Sequence, residues 1–142
     1  MKIAIAQINT TVGDIAGNVD KILLTAGQAK AKEVDLIIFP ELTITGYPAE
    51  DLLLKDSFIQ ANLGAVNDLA KDLHKLNLAA IVGFVDCNTG RGKPLFNAAA
   101  FIKDGQIIHR QYKSLLPSYD VFDEDRYFES AKNYQLIQLW KI

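Results

Sequence analysis

A chain of 142 residues with 49% hydrophobic and 23% charged residues has an ordinary globular composition and can bury roughly two thirds of the surface its unfolded form exposes. The net charge of −2, with both signs interspersed and no basic block, leaves no electrostatic footprint for nucleic acid or anionic lipid. The lone Cys87 excludes an internal disulfide, Gln7 interrupts the apolar start before it could form a signal-peptide core, and no apolar run approaches the roughly 20 residues that span a bilayer; the expected compartment is the cytoplasm, with no membrane partner.

Residues 2–8, rich in isoleucine and alanine, suit a strand in the middle of a sheet, and residues 10–17 supply turn chemistry. Asn18 is placed to cap the helix that follows, in which Val19, Ile22, Leu23 and Ala26 recur at i, i+3, i+4 and i+7 and form a stripe for packing on the sheet. Residues 36–39 are four apolar residues in a row, the pattern of a strand covered on both faces. Pro40 has no N–H for the ladder and ends it, so Glu41 stands at the strand's carboxyl end, where open α/β sheets bind ligands. A solvated loop glutamate is the alternative reading.

Residues 57–77 carry Ile59, Leu63, Val66, Ala70 and Leu73 at steps of four and three, which predicts a second helix, and residues 78–85 return to strand character. Residues 87–94 form a surface loop, and residues 97–102 the next strand. Asp104-Gly105 then signals a type I′ hairpin turn into a strand at 107–110 that leads to Lys113. Residues 114–128 are aromatic and acidic without a clean period, an ordered loop with one short helical turn. Residues 136–142 open another strand pattern, and a chain that stops there reads as cut rather than finished.

Five candidate chemistries reduce to one. Cys87 lies in a Gly/Asn loop with no helix N-terminus after it to lower its pKa, so it reads as an idle thiol. His74 and His109 are isolated from thiols and carboxylates at ligand spacing, which predicts no metal site. Residues 90–94 lack phosphate-loop spacing, and the acidic set Asp120, Asp123, Glu124 and Asp125, with Arg126 beside it, predicts local ion pairing. Glu41 and Lys113 remain. Each follows a strand and precedes a loop with proline and tyrosine, so both can reach one sheet edge, either as a general base beside a fixed positive charge or as a structural salt bridge.

Phe39-Pro40-Glu41-Leu42 with Thr45-Gly46-Tyr47-Pro48, and Lys113 with Leu116-Pro117, resemble the nitrilase or carbon-nitrogen hydrolase superfamily. The stretches 46–54 and 113–128 are similar, more narrowly, to the N-terminal glutamine amidotransferase domains of glutamine-dependent NAD synthetases. The resemblance implies an α/β fold, part of an αββα sandwich with a mixed sheet and helices on one face, and makes residues 1–142 the N-terminal portion of such a glutaminase domain. It implies Glu41 as general base, Lys113 as the group that stabilises the tetrahedral intermediate, Tyr47 and Tyr119 as liners of the glutamine pocket, and Glu124 as a candidate supporting acid. The family's cysteine nucleophile, in a motif ending Cys-Glu-Asp, is not among these 142 residues, and the chain alone is expected to be inactive. The amidase half needs no cofactor; ATP and magnesium belong to an absent synthetase domain, which amidates nicotinic acid adenine dinucleotide with the released ammonia. A homo-oligomer is expected. Ser118 and Asp120 stand where the family usually has Asn and Gly, and Asp tolerates the left-handed backbone that Gly often marks there. A non-catalytic binding module and a stand-alone carbon-nitrogen hydrolase are the competing readings.

Overall fold

A computed structural model describes residues 1–132; the strand expected over 136–142 lies outside the described residues. Five strands form one sheet in the order β1-β2-β3-β4-β5: β1 (Ile3–Ile5), β2 (Leu36–Ile38), β3 (Ala79–Cys87), β4 (Leu95–Lys103) and β5 (Gln106–Tyr112). The first three run parallel, joined by crossovers through α1 (Ile15–Ala31) and α2 (Asp56–Lys75), and the last two add antiparallel hairpins. The sheet is therefore mixed, as expected.

Both long helices lie on one face. Ile22, Ala26 and Ala29 of α1 and Val66, Leu69, Ala70 and Leu73 of α2 pack in a single buried cluster with Ile37, Val82, Phe84, Ala98, Ala100 and Ile102. Alternation along the strands sends the intervening residues to the other face, where Leu36, Ala79 and Phe101 form a smaller cluster with Ile38 and Ile81. β1 is the edge of the described sheet rather than its middle, and Ile3 and Ile5 on its second face are 47% and 75% exposed. Its apolar composition anticipates burial that no described residue supplies.

Local chemistry explains the boundaries. Asp14, not Asn18, caps α1, its carboxylate accepting from the Gly17 N–H at 3.0 Å. Asn18 is fully buried one turn inside, where it accepts from Thr11 N–H and donates to the carbonyls of Thr11 and Ile44, tying the loop after β1 to the loop after β2. At the hairpin, Asp104 and Gly105 have φ of 51° and 81°, the left-handed pair of a type I′ turn. The β4–β5 register then shifts once: Ile102 faces Ile107 but Phe101 faces His109, so Ile108 is an extra residue bulged from β5.

Candidate active site

Glu41 is delivered by a loop folded tightly over β3. Beyond Ile38 the chain keeps one parallel contact, Phe39 N–H to Ile81 carbonyl at 2.9 Å, and Ile44 N–H returns to the Gly83 carbonyl at 3.2 Å. Between them the backbone of Pro40, Glu41 and Leu42 crosses so close to Gly83 that a Cβ there would meet Leu42 N, and would lie 2.5 Å from Pro40 O and 2.8 Å from Glu41 C. The Thr43 hydroxyl donates to the Pro40 carbonyl and fastens the turn. A strand residue without a side chain is thus what allows the glutamate to sit over the sheet's second face.

Lys113 leaves β5 on that same face, its N–H bonded to the Asn97 carbonyl of β4 at 2.8 Å. Glu124 opens the short helix α3 (Glu124–Tyr127), held by its own N–H to the Pro117 carbonyl at 3.1 Å. The side chains close a ring. Lys113 Nζ donates to Glu41 Oε1 at 2.7 Å and to Glu124 Oε1 at 2.9 Å. Asn97 Nδ2 donates to the same two groups, 2.5 Å from Glu41 Oε1 and 3.3 Å from Glu124 Oε2, and the Tyr47 hydroxyl donates to Glu124 Oε1 at 2.8 Å.

The two carboxylates are not equivalent. Glu124 is 4% exposed and both its oxygens are occupied, so it serves as an acceptor frame for Lys113, Tyr47 and Asn97. Glu41 is half-exposed and takes both donors on Oε1, leaving Oε2 without a hydrogen-bond partner among the described residues. Burial by itself pulls the Lys113 ammonium down, but the hydrogen bonds to Glu41 and Glu124 outweigh it and hold the pKa above its ordinary value. Burial, then the bond to Glu124, pushes the Tyr47 phenol far up, so it remains a donor. The arrangement offers a fixed positive charge beside a carboxylate oxygen open to a proton, the parts that base-assisted attack on a carbonyl requires.

Glu41, Lys113, Tyr47 and Glu124 are thus brought together, whereas Tyr119 is not. It is 69% exposed on the loop rim, with Phe122 next to it, whose ring lies 5.6 Å from Tyr119 and 6.3 Å from Tyr47. Asp120 has φ of 55°, the left-handed conformation anticipated at that position. Of the other acids, Asp123 pairs locally with Arg126 at 4.0 Å, whereas Asp125 pairs with Lys93 of the β3–β4 loop at 2.7 Å. Cys87 packs beside Val85 and Leu95, and burial, with Asp86 and Asp56 nearby, raises its thiol. Among the described residues no group of three or more His, Cys, Asp or Glu side chains could hold a metal ion, and no helix is long and apolar enough to cross a membrane. Asn97 escaped the sequence reading. Its signal was a lone amide inside the apolar run Leu95 to Ile102, where a polar side chain needs a partner.

A cavity of about 250 Å³ on the open face is lined by Phe39, Pro40, Glu41, Ile81, Asn97 and Lys113. A second, of about 270 Å³, lies behind Tyr47 and Glu124 and is bordered by Pro48, Asp51, Arg126 and Tyr127. Comparison with known families gives a match to Carbon-nitrogen hydrolase over residues 2–141. The chain belongs to the carbon-nitrogen hydrolase family. Curated relatives of this carbon-nitrogen hydrolase chain include the glutamine-dependent NAD(+) synthetase of Thermotoga maritima, 36% identical over the whole chain, and that of Synechocystis sp., 45% identical over 91% of it. The chain spans 24% of the length of each. Among solved structures, the glutamine-dependent NAD+ synthetase from Acinetobacter baumannii superposes with a TM-score of 0.82 at 37% identity, covering 96% of the chain and 25% of that protein. An amidase of the nitrilase superfamily from Nesterenkonia shares the fold, with a TM-score of 0.86 at 20% identity over 99% of the chain and 52% of its own.

Proposed function

We propose that this chain is the N-terminal portion of a glutamine-hydrolysing domain of a glutamine-dependent NAD synthetase. The observation that carries the reading is the ring itself: a half-exposed Glu41 with one unoccupied oxygen, fixed to Lys113 and backed by a buried Glu124, beside an open cavity. Membership of the carbon-nitrogen hydrolase family and the likeness to NAD synthetases support glutamine as the substrate.

In this mechanism Glu41 Oε2 takes the proton of a cysteine thiol, and the thiolate attacks the side-chain amide carbon of glutamine. The oxygen of the tetrahedral intermediate gains negative charge beside the Lys113 ammonium, which its two carboxylates keep protonated against the pull of burial. Glu41 returns the proton to the departing nitrogen, which leaves as ammonia. Water then gives a proton to Glu41 as its oxygen attacks the thioester, and glutamate departs as the thiol is restored. Tyr47 and Glu124 keep the lysine aimed, while Tyr119 borders the substrate entrance. Cys87 is unsuited to be the nucleophile, because its thiol is raised rather than activated. The thiol belongs to sequence outside these 142 residues, as do ATP, magnesium and the amidation of nicotinic acid adenine dinucleotide. The parent protein is a cytoplasmic homo-oligomer in this reading.

The test is ammonia release from glutamine. The polypeptide carrying these residues together with the segment that follows them is expected to release it, and Glu41→Gln or Lys113→Met to lower the rate by at least ~100-fold. The 142-residue chain alone is expected to release none. Release by that chain, abolished in Cys87→Ser, would overturn the assignment of the nucleophile.

A further inference from the structure

We infer that Asn97 is a positioning residue of this site: its side-chain amide pins Glu41 and Glu124 together and leaves Glu41 Oε2 as the oxygen that exchanges the proton. The inference rests on the reading of the site proposed above. Asn97 is 4% exposed in the middle of the mixed sheet, opposite Val85 of β3, and its carbonyl receives the Lys113 N–H on the other side. Val85 is itself held by Asn62 of α2, which donates to its carbonyl at 2.6 Å and accepts from its N–H at 3.2 Å. The position of Asn97 is therefore set from both neighbouring strands and from the helix layer.

From that fixed point the residue touches every charged member of the ring. Its backbone orders Lys113, and its two amide hydrogens reach Glu41 and Glu124. One ammonium faces two carboxylates, and the amide supplies further donors without adding a charge or a group that titrates. An aliphatic side chain would leave Glu41 tethered by Lys113 alone, free to turn its second oxygen toward the lysine. A carboxylate would add a third negative charge where Lys113 is the only cation in the ring.

Two substitutions of nearly the same shape separate positioning from space-filling, made in the complete polypeptide. Asn97→Leu is expected to lower kcat for glutamine hydrolysis by roughly 10–100-fold, the scale of a misplaced catalytic group, with KM changed less than about threefold. Asn97→Asp, the closer isostere, is expected to be less active than Asn97→Leu. A purely structural residue gives the reverse order. Crystal structures of both variants supply a readout independent of activity: Glu41 and Glu124 displaced from Lys113 in Asn97→Leu support the inference. An unchanged carboxylate arrangement, a kcat for Asn97→Leu within threefold of the parent, or Asn97→Asp outperforming Asn97→Leu would overturn it. A parent protein without glutamine hydrolysis would refute the proposed function while the crystal structures still decide the role of Asn97.

Discussion

Lys113 answers to two carboxylates of unequal burial, and this makes it a stability element as well as a chemical one. Replacing it by methionine leaves Glu124, 4% exposed, as an uncompensated charge beside Glu41, a change expected to cost about 3 kcal/mol. The pH dependence has a definite sign. Lys113 has its folded pKa raised above the ordinary 10.5, so its contribution is complete below that value and fades only as pH rises through the folded one. Urea denaturation should therefore show the same gap between parent and Lys113→Met at pH 7 and pH 9, narrowing only once the pH passes the ordinary lysine value of 10.5; a gap already closing at pH 9 would count against this. Of the ring's members, Glu41 and Lys113 were legible as charged residues at strand exits, and Tyr47 and Glu124 through the family resemblance. Asn97 was not, because a strand pattern records which face a side chain takes but not what will stand opposite it. Asn18 was misread for a related reason. Asparagine before a helical stripe signals a cap, yet here Asp14 takes that role and Asn18 is consumed by two loops that only tertiary structure brings together.

At the scale of elements, the site depends on one close approach. The Glu41 loop can lie over β3 only because Gly83 has no side chain, and the atoms a Cβ would meet are backbone, which cannot swing aside. Gly83→Ala is expected to destabilise the protein by about 1–3 kcal/mol and to displace Glu41 from Lys113. The checks are the thermal midpoint together with glutamine hydrolysis by the longer polypeptide; a variant with both unchanged would show that the loop has room to rise. The helix and hairpin assignments were legible because α2 has a long apolar period and Asp104-Gly105 fits the turn it makes. Strand ends were less so. β1 is three residues long although seven looked suitable, since pairing with the three-residue β2 decides where a ladder stops and composition does not.

For the whole molecule, the face of the sheet opposite α1 and α2 is the less covered one among the described residues. Ile3 and Ile5 stand exposed there, beside a small cluster of Leu36, Ala79 and Phe101. The 142-residue chain on its own is expected to self-associate through this face and the β1 edge. Sedimentation velocity should show the weight-average mass rising with concentration, and a single monomeric species at high concentration would refute it. The alternation of strand and helix patterns followed from the apolar periods, while the mixed sheet with helices on one face was what the family resemblance implied. Which strand lies at the edge did not follow, since an isoleucine-rich segment looks the same whether its cover comes from the described residues or not.

The bulge at Ile108 gives the site an arithmetic as well as a geometry. With that one extra residue in β5, Lys113 emerges beside Asn97 on the face that carries Glu41. Were Ile108 paired rather than bulged, Tyr112 would take that place and the lysine would point among the helices. The distance along the chain from Asn97 to Lys113 therefore behaves as a parity code: a single insertion or deletion that leaves the bulge in place inverts the lysine, whereas removal of the unpaired Ile108 itself, or a compensating pair, keeps it opposite Asn97. Substitutions in this hairpin can be absorbed by degrees, but changes of length act all at once.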